Sequence, residues 1–221
     1  MDLTAVVLPA GWTLAGWMAA LPLLASALRR APWSWLRADE RSPVLPAAIF
    51  ALLVLWNMQA TIGDGYTFHL LGVGGLTLLV GPQLALVGGA VAVALQLAVR
   101  GGEWINAGIA WITMVALPVA TMSVVLRSSE RWLPPNFFVY VIVVTFFGAA
   151  LSLGVAGVAG AVALNVGKGL PAALVYGEYL PYLLYLGFGE ATLTGMVLTL
   201  AVVYRPEWVA TFDDRRYIDG R

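Results

Sequence analysis

The stretch HLLGVGGLTLLVGPQLALVGGAVAVALQLAVR, from His69 to Arg100, carries no charged side chain between its two ends. It is longer than the ~20 apolar residues that cross a bilayer as one helix. Near its middle, Gly81-Pro82 removes a backbone donor and a side chain at once, which breaks helical continuity. The stretch therefore predicts two helices, over 67–81 and 83–99, or one broken helix if both halves count as a single element. In either case its surroundings are lipid and protein rather than water.

The same pattern extends outward over the whole chain. Of its 221 residues 61% are hydrophobic and 11% charged, a composition outside the range of soluble domains. Apolar runs between charges, Gly and Pro place further spans at 5–28, 44–62, 105–126, 137–164 and 181–204. The expected fold is all-α: a polytopic membrane protein of about seven transmembrane helices, forming one domain over 1–208 and a cytoplasmic tail over 209–221. The end of that tail, DDRRYIDGR, is mixed in charge and reads as solvated. The first run lacks a basic leader and is as long as a full span, so it is expected to be retained rather than cleaved. In the sixth span Gly154, Gly157 and Gly160 suit close packing or a bend.

Basic residues set the orientation. Arg29, Arg30, Arg37, Arg41, Arg127, Arg131, Arg205, Arg215, Arg216 and Arg221 fall in alternate connections, and only Arg100 and Lys168 fall on the other side. The positive-inside rule then puts the N-terminus outside and the C-terminus in the cytoplasm. Trp12, Trp17, Trp33, Trp35, Trp104, Trp132 and Trp208 lie near span ends and read mainly as interfacial anchors.

Several function classes are excluded. There is no cysteine, hence no thiolate site or thiol nucleophile. The zero net charge argues against nucleic acid as a partner. NVGKGL, from Asn165, lacks the leading glycine and the following Ser/Thr of a phosphate loop, and no serine sits in a nucleophile elbow. No catalytic activity is expected.

Polar groups within a span are costly, at about 2.5 to 3.5 kcal/mol for a charge at the centre, and so mark sites or helix contacts. The relevant residues are Asp64, His69, Glu103, Asn106, the trio Asn57, Met58 and Gln59, and Glu190. By the orientation above, all but Glu190 lie toward the outer leaflet, together with Met1 and Asp2. A neutral imidazole is a common ligand of transition metals, and a carboxylate or amide completes such a site. The competing structural readings are that His69 donates to a helix carbonyl or caps the start of the third helix, and that Glu190 bonds a Thr or Tyr of a neighbouring helix.

The order of four segments carries a family resemblance: LPAGWTLAGWMAALPLLASALRR from Leu8, the His69–Val99 run, GGEWINAGIAWITMVALP from Gly101, and GFGEATLTGMVLTLAVVYRPEWV from Gly187. Together they resemble the CbiM-type permease of cobalt and nickel energy-coupling-factor transporters, from Leu8 to about Trp208. The resemblance implies a substrate-capture subunit of the bacterial inner membrane. It would work with a transmembrane coupling subunit and two cytoplasmic ATPases, and its cargo is a divalent transition metal. In that family the metal is held by the N-terminal amine, the next backbone amide, a histidine at position two and a histidine at the start of the third helix. His69 matches the last of these, Met1 would supply the amine, and Asn106 matches the polar residue at the start of the fifth helix.

The chain departs from the pattern at Asp2, which stands where the family has histidine, and at Ala5 and Val6, which replace an acid-glycine pair. A square-planar nitrogen site is then incomplete, and the expectation is that Asp2, Asp64 and His69, beside Met1 and Asn106, would instead make an oxygen-rich site for zinc, iron, manganese or cobalt. Small pairs on the first span, Ala15 with Ala19 and Gly16 with Ala20, allow close approach either of a partner helix, as the resemblance implies, or of an internal one. Two further readings stay open. One is a solitary relative holding an organic solute among Trp12, Tyr66, Trp104 and Trp111; the other is an assembly subunit of a larger membrane complex.

Overall fold

A computed structural model describes residues 8–62, 66–167, 173 and 175–217. The chain is almost entirely helical. α1 (Ala10–Arg30), α4 (Pro82–Arg100), α5 (Trp104–Trp132), α6 (Val139–Gly167) and α7 (Leu180–Tyr204) are long and apolar enough to cross a membrane, and α2 (Val44–Asn57) is a shorter apolar helix. The protein is a polytopic all-α membrane protein. Between α2 and α4 lie two short strands, β1 (Ala60–Ile62) and β2 (Tyr66–Phe68), and the eight-residue helix α3 (Val73–Val80).

Two predicted spans are thereby shortened. The second ends at Asn57 instead of 62, because Asn57 donates its side-chain amide back to the Leu53 carbonyl and Arg100 takes the Asn57 carbonyl, at 2.8 and 3.1 Å. Thr61 and Ile62 then pair antiparallel with Thr67 and Tyr66, as β-branched residue types favour strands over helix. The third predicted span loses residues 67 to 72 to this hairpin and to a bend. What remains is about 12 Å of helix at 1.5 Å per residue, too short to cross a membrane. The break itself falls where the sequence places it. Gly81, at φ 81° and ψ 163°, ends α3 in a backbone region reserved for glycine, and Pro82 opens α4 at its first turn.

Two prolines leave helices continuous but widened. The turn before Pro118 and the turn before Pro181 are π-helical, over Ile112–Ala116 and Val175–Tyr179. Such widening re-pairs the carbonyls that a proline strands inside a membrane helix.

α1 and α5 pack at backbone contact. A Cβ on Gly16 would stand 2.6 Å from the Ile109 nitrogen, and one on Gly108 would stand 2.7 Å from the Trp17 nitrogen. Gly16 and buried Ala20 thus face inward, while Ala15 and Ala19 are exposed beside Leu14 and Met18.

The basic connections gather at one end of the bundle. Arg41 donates to the Glu207 carbonyl at 3.1 Å, and Arg216 pairs with Glu130 at 3.3 Å, which ties the connection after α1, the end of α5 and the chain beyond α7 together. The residues after α7 are not a free tail. Val209, Phe212 and Tyr217 are buried, and Phe212 and Tyr217 stack on each other beside Tyr140. Among the described residues of this segment, Asp213, Asp214 and Arg215 keep the solvated character that the sequence suggested, and 218–221 lie outside them. The charge pattern concealed one apolar anchor, Tyr217, while Val209 and Phe212 lie just ahead of the charged stretch.

Candidate metal-capture site

At the opposite end of the bundle, α2 and α4 finish and α5 begins. Asn57 donates to the Gln96 side chain at 3.0 Å. The Arg100 guanidinium donates to the side chains of Asn57 and Gln59, at 3.0 and 2.8 Å. This network fixes the base of the hairpin that leads to His69.

His69 follows β2 and is 2% exposed. Its Nδ1 lies 3.0 Å from the Leu70 carbonyl oxygen. A proton donated along that line leaves the lone pair on Nε2, the tautomer in which an imidazole binds metal. The Trp56 ring is 6.1 Å away, and its indole N–H donates to the Leu71 carbonyl at 2.9 Å. Gly72, at φ 67°, then turns the chain into α3. A side chain there would meet Leu52 and Leu55 at 2.7 and 2.9 Å, so the position demands glycine for both conformation and space.

Glu190 on α7 completes the frame and is fully buried. Its two carboxylate oxygens accept the backbone N–H groups of Leu71 and Gly72, at 2.8 and 2.7 Å. The sequence-based assignment of a Thr or Tyr partner is therefore corrected: the partners are main-chain donors ahead of α3. These donors lack intrahelical acceptors because the helix begins only at Val73. Among the described residues no basic side chain pairs with Glu190; its carboxyl group faces two N–H dipoles ahead of the N-terminus of α3.

Asn106 is also fully buried at this end, on the short turn Trp104–Asn106 that opens α5. The Trp17 indole N–H donates to the neighbouring Ile105 carbonyl at 3.0 Å. Glu103 and Met58 are exposed instead. Met1, Asp2 and Asp64 lie outside the described residues, and among the described residues no three His, Asp or Glu side chains cluster to hold a metal. His69 and Asn106 are thus the two predicted donors whose burial and backbone setting are defined. Trp56 and Glu190 hold the His69 loop; the sequence points to Glu190 by its cost in lipid, whereas nothing distinguishes Trp56 from an interfacial tryptophan.

Of the aromatic residues suggested for an organic pocket, the Tyr66 side chain lies outside the described ones, and Trp12 does not line the cleft that holds Trp104 and Trp111. Trp104 and Trp111 share a cleft of about 160 Å³ with Trp17, lined almost wholly by apolar side chains of α1, α4 and α5. Trp12 packs instead near Gly167.

The family model of the cobalt uptake substrate-specific transmembrane region, CbiM, matches residues 3–208. The chain belongs to the CbiM family. It is a transmembrane component of metal uptake, as the order of its segments leads one to expect. Two solved structures share this fold. One is a truncated transition metal transporter, with a TM-score of 0.77, 18% identity, and coverage of 89% of this chain and 96% of that one. The other is a transition metal transporter, with a TM-score of 0.76, 18% identity, and coverage of 90% and 91%. At that identity the likeness is one of fold. A search of curated proteins gave no significant match.

Proposed function

We propose that this CbiM-family protein captures a divalent transition-metal ion with His69 at the end of the bundle opposite its arginine-rich face. The observation that supports this most directly is the setting of His69: a buried imidazole whose loop is gripped by Trp56 and Glu190 before a short helix. A residue serving only as a helix cap would not need neighbours on both sides of its loop. Asp2 and Asp64, as carboxylates, and Asn106, as an amide, would supply oxygen donors, with the Met1 amine as a second nitrogen. Such a set favours cobalt, zinc, iron or manganese over square-planar nickel.

The arginine-rich face would be cytoplasmic and the His69 end external, in the inner membrane of a bacterium. Ion movement would be driven by a transmembrane coupling subunit and cytoplasmic ATPases. α1 offers a surface for the coupling subunit: it is the least buried of the five long helices, and Ala15 and Ala19 stand outward on it. No second reading is favoured: Trp12 does not line the cleft that holds Trp104 and Trp111. The test is elemental analysis of protein purified with a free N-terminus, wild type beside His69→Ala. Near-stoichiometric metal, lost in the variant, is expected; equal metal content in both would refute the reading.

A further inference from the structure

α3 is held at both ends by one continuous stretch of chain. At its start, Glu190 takes the Leu71 and Gly72 N–H groups. With Trp56 on the Leu71 carbonyl, the peptide groups on both sides of Leu71 are fixed, two residues from His69. At its far end, the segment that leaves α7 returns beneath the helix. The Ala210 N–H donates to the Leu79 carbonyl at 2.8 Å and the Thr211 hydroxyl to the Leu78 carbonyl at 2.9 Å. These are carbonyls that a helix stopping short of the membrane face would otherwise leave unpaired. Thr211 is itself held by the Tyr140 hydroxyl at 2.7 Å, and buried Val209, Phe212 and Tyr217 anchor the segment.

We propose that Glu190 and Thr211 are positioning residues for His69, forming a clamp that sets α3, and with it the imidazole, relative to α7. Three features support this beyond simple capping. The carboxylate comes from another helix, across the bundle. It engages two donors that lie between the histidine and the helix rather than donors within the helix. And α3, only eight residues long, lacks the length to hold its own place in the bundle, because isolated helices of that size are unstable. A shift of the tail at the arginine-rich face is thereby carried through about 12 Å of helix to His69. The clamp rests on the reading of His69 as a metal donor, and the experiment separates the two.

His69 is the chain's single histidine, so isotope-labelled histidine gives one ring signal in full-length protein in lipid nanodiscs. The variants are Glu190→Gln, Thr211→Val and, as a matched hydroxyl deletion away from the clamp, Thr113→Val, whose buried hydroxyl bonds within α5. Each is probed alone and with added Co²⁺. The clamp predicts that Glu190→Gln and Thr211→Val shift the His69 signal and weaken Co²⁺ binding about tenfold or more, the scale expected for a residue that orients a ligand. Thr113→Val should do neither. An unmoved signal in Glu190→Gln overturns the proposal, as does a shift with unchanged Co²⁺ affinity. A response confined to Glu190→Gln overturns the two-ended clamp. Should Glu190→Gln fail to fold, Thr211→Val decides alone. If Co²⁺ leaves the wild-type signal unbroadened, the metal reading fails instead, and the ring shifts alone judge the clamp.

Discussion

Replacing Gly72 with alanine tests the frame of the site by a number. Gly72 sits at φ 67°, where an L side chain costs about 1–2 kcal/mol. The new methyl would also stand 2.7 Å from Leu52 and 2.9 Å from Leu55, and overpacking of this kind costs about 1–3 kcal/mol more. Gly101 supplies the internal control. It has φ 69° with nothing within 4 Å of a built Cβ, so Gly101→Ala bears the conformational cost alone. Unfolding in mixed detergent micelles should therefore show Gly72→Ala destabilised by about 2–5 kcal/mol and Gly101→Ala by about 1–2 kcal/mol. Metal retention should fall only in the former, since its displaced loop carries His69. Equal stability losses in the two variants would refute the packing argument, and full metal retention in Gly72→Ala would refute the link between this turn and the site.

Other outcomes follow from the packing and the charges. Gly16→Ala pushes a methyl into the Ile109 backbone and should cost about 1–3 kcal/mol, whereas Ala15→Leu on the exposed side should stay within about 0.5 kcal/mol in the isolated protein; the two unfolding curves check this. Tyr217 has its pKa raised, chiefly by burial and further by the Glu130 carboxylate. Since the folded state favours the neutral phenol, the docking of the tail should be constant below pH ~10, the ordinary value, and weaken above it. Limited proteolysis of the tail across that range reads this out, and loss of docking beginning near neutral pH would contradict it.

Much of the fold is legible in the sequence because lipid imposes strict rules on it. Charges are kept from the middle of spans and several helix breaks fall at Gly or Pro, so α4, α6 and α7 begin and end close to where the residues place them, whereas α5 runs on past 126 through Arg127, Glu130 and Arg131 to Trp132. The stretch around 58–72 is less legible. Hydropathy does not distinguish a buried hairpin and bend from the ends of two helices, and only the Arg100 network, contributed by another helix, ends α2 at Asn57. Similarly, Glu190 stands out as a carboxyl in an apolar helix, but its partners are main-chain donors that exist only once α3 starts at Val73. Tyr217 was hidden by the charges on either side of it. The predicted site divides in the same way. His69 and Asn106 are drawn to one end of the bundle by the elements that carry them, whereas the bonds that fix the loop after His69 come from Glu190, far along the chain.

X-ray absorption spectroscopy of metal-loaded protein with a free N-terminus tests the central claim most directly, because imidazole gives a distinctive multiple-scattering signal. One imidazole among mixed nitrogen and oxygen donors, with that signal absent in His69→Ala, is the predicted result. A metal bound without imidazole scattering would contradict His69 as its ligand.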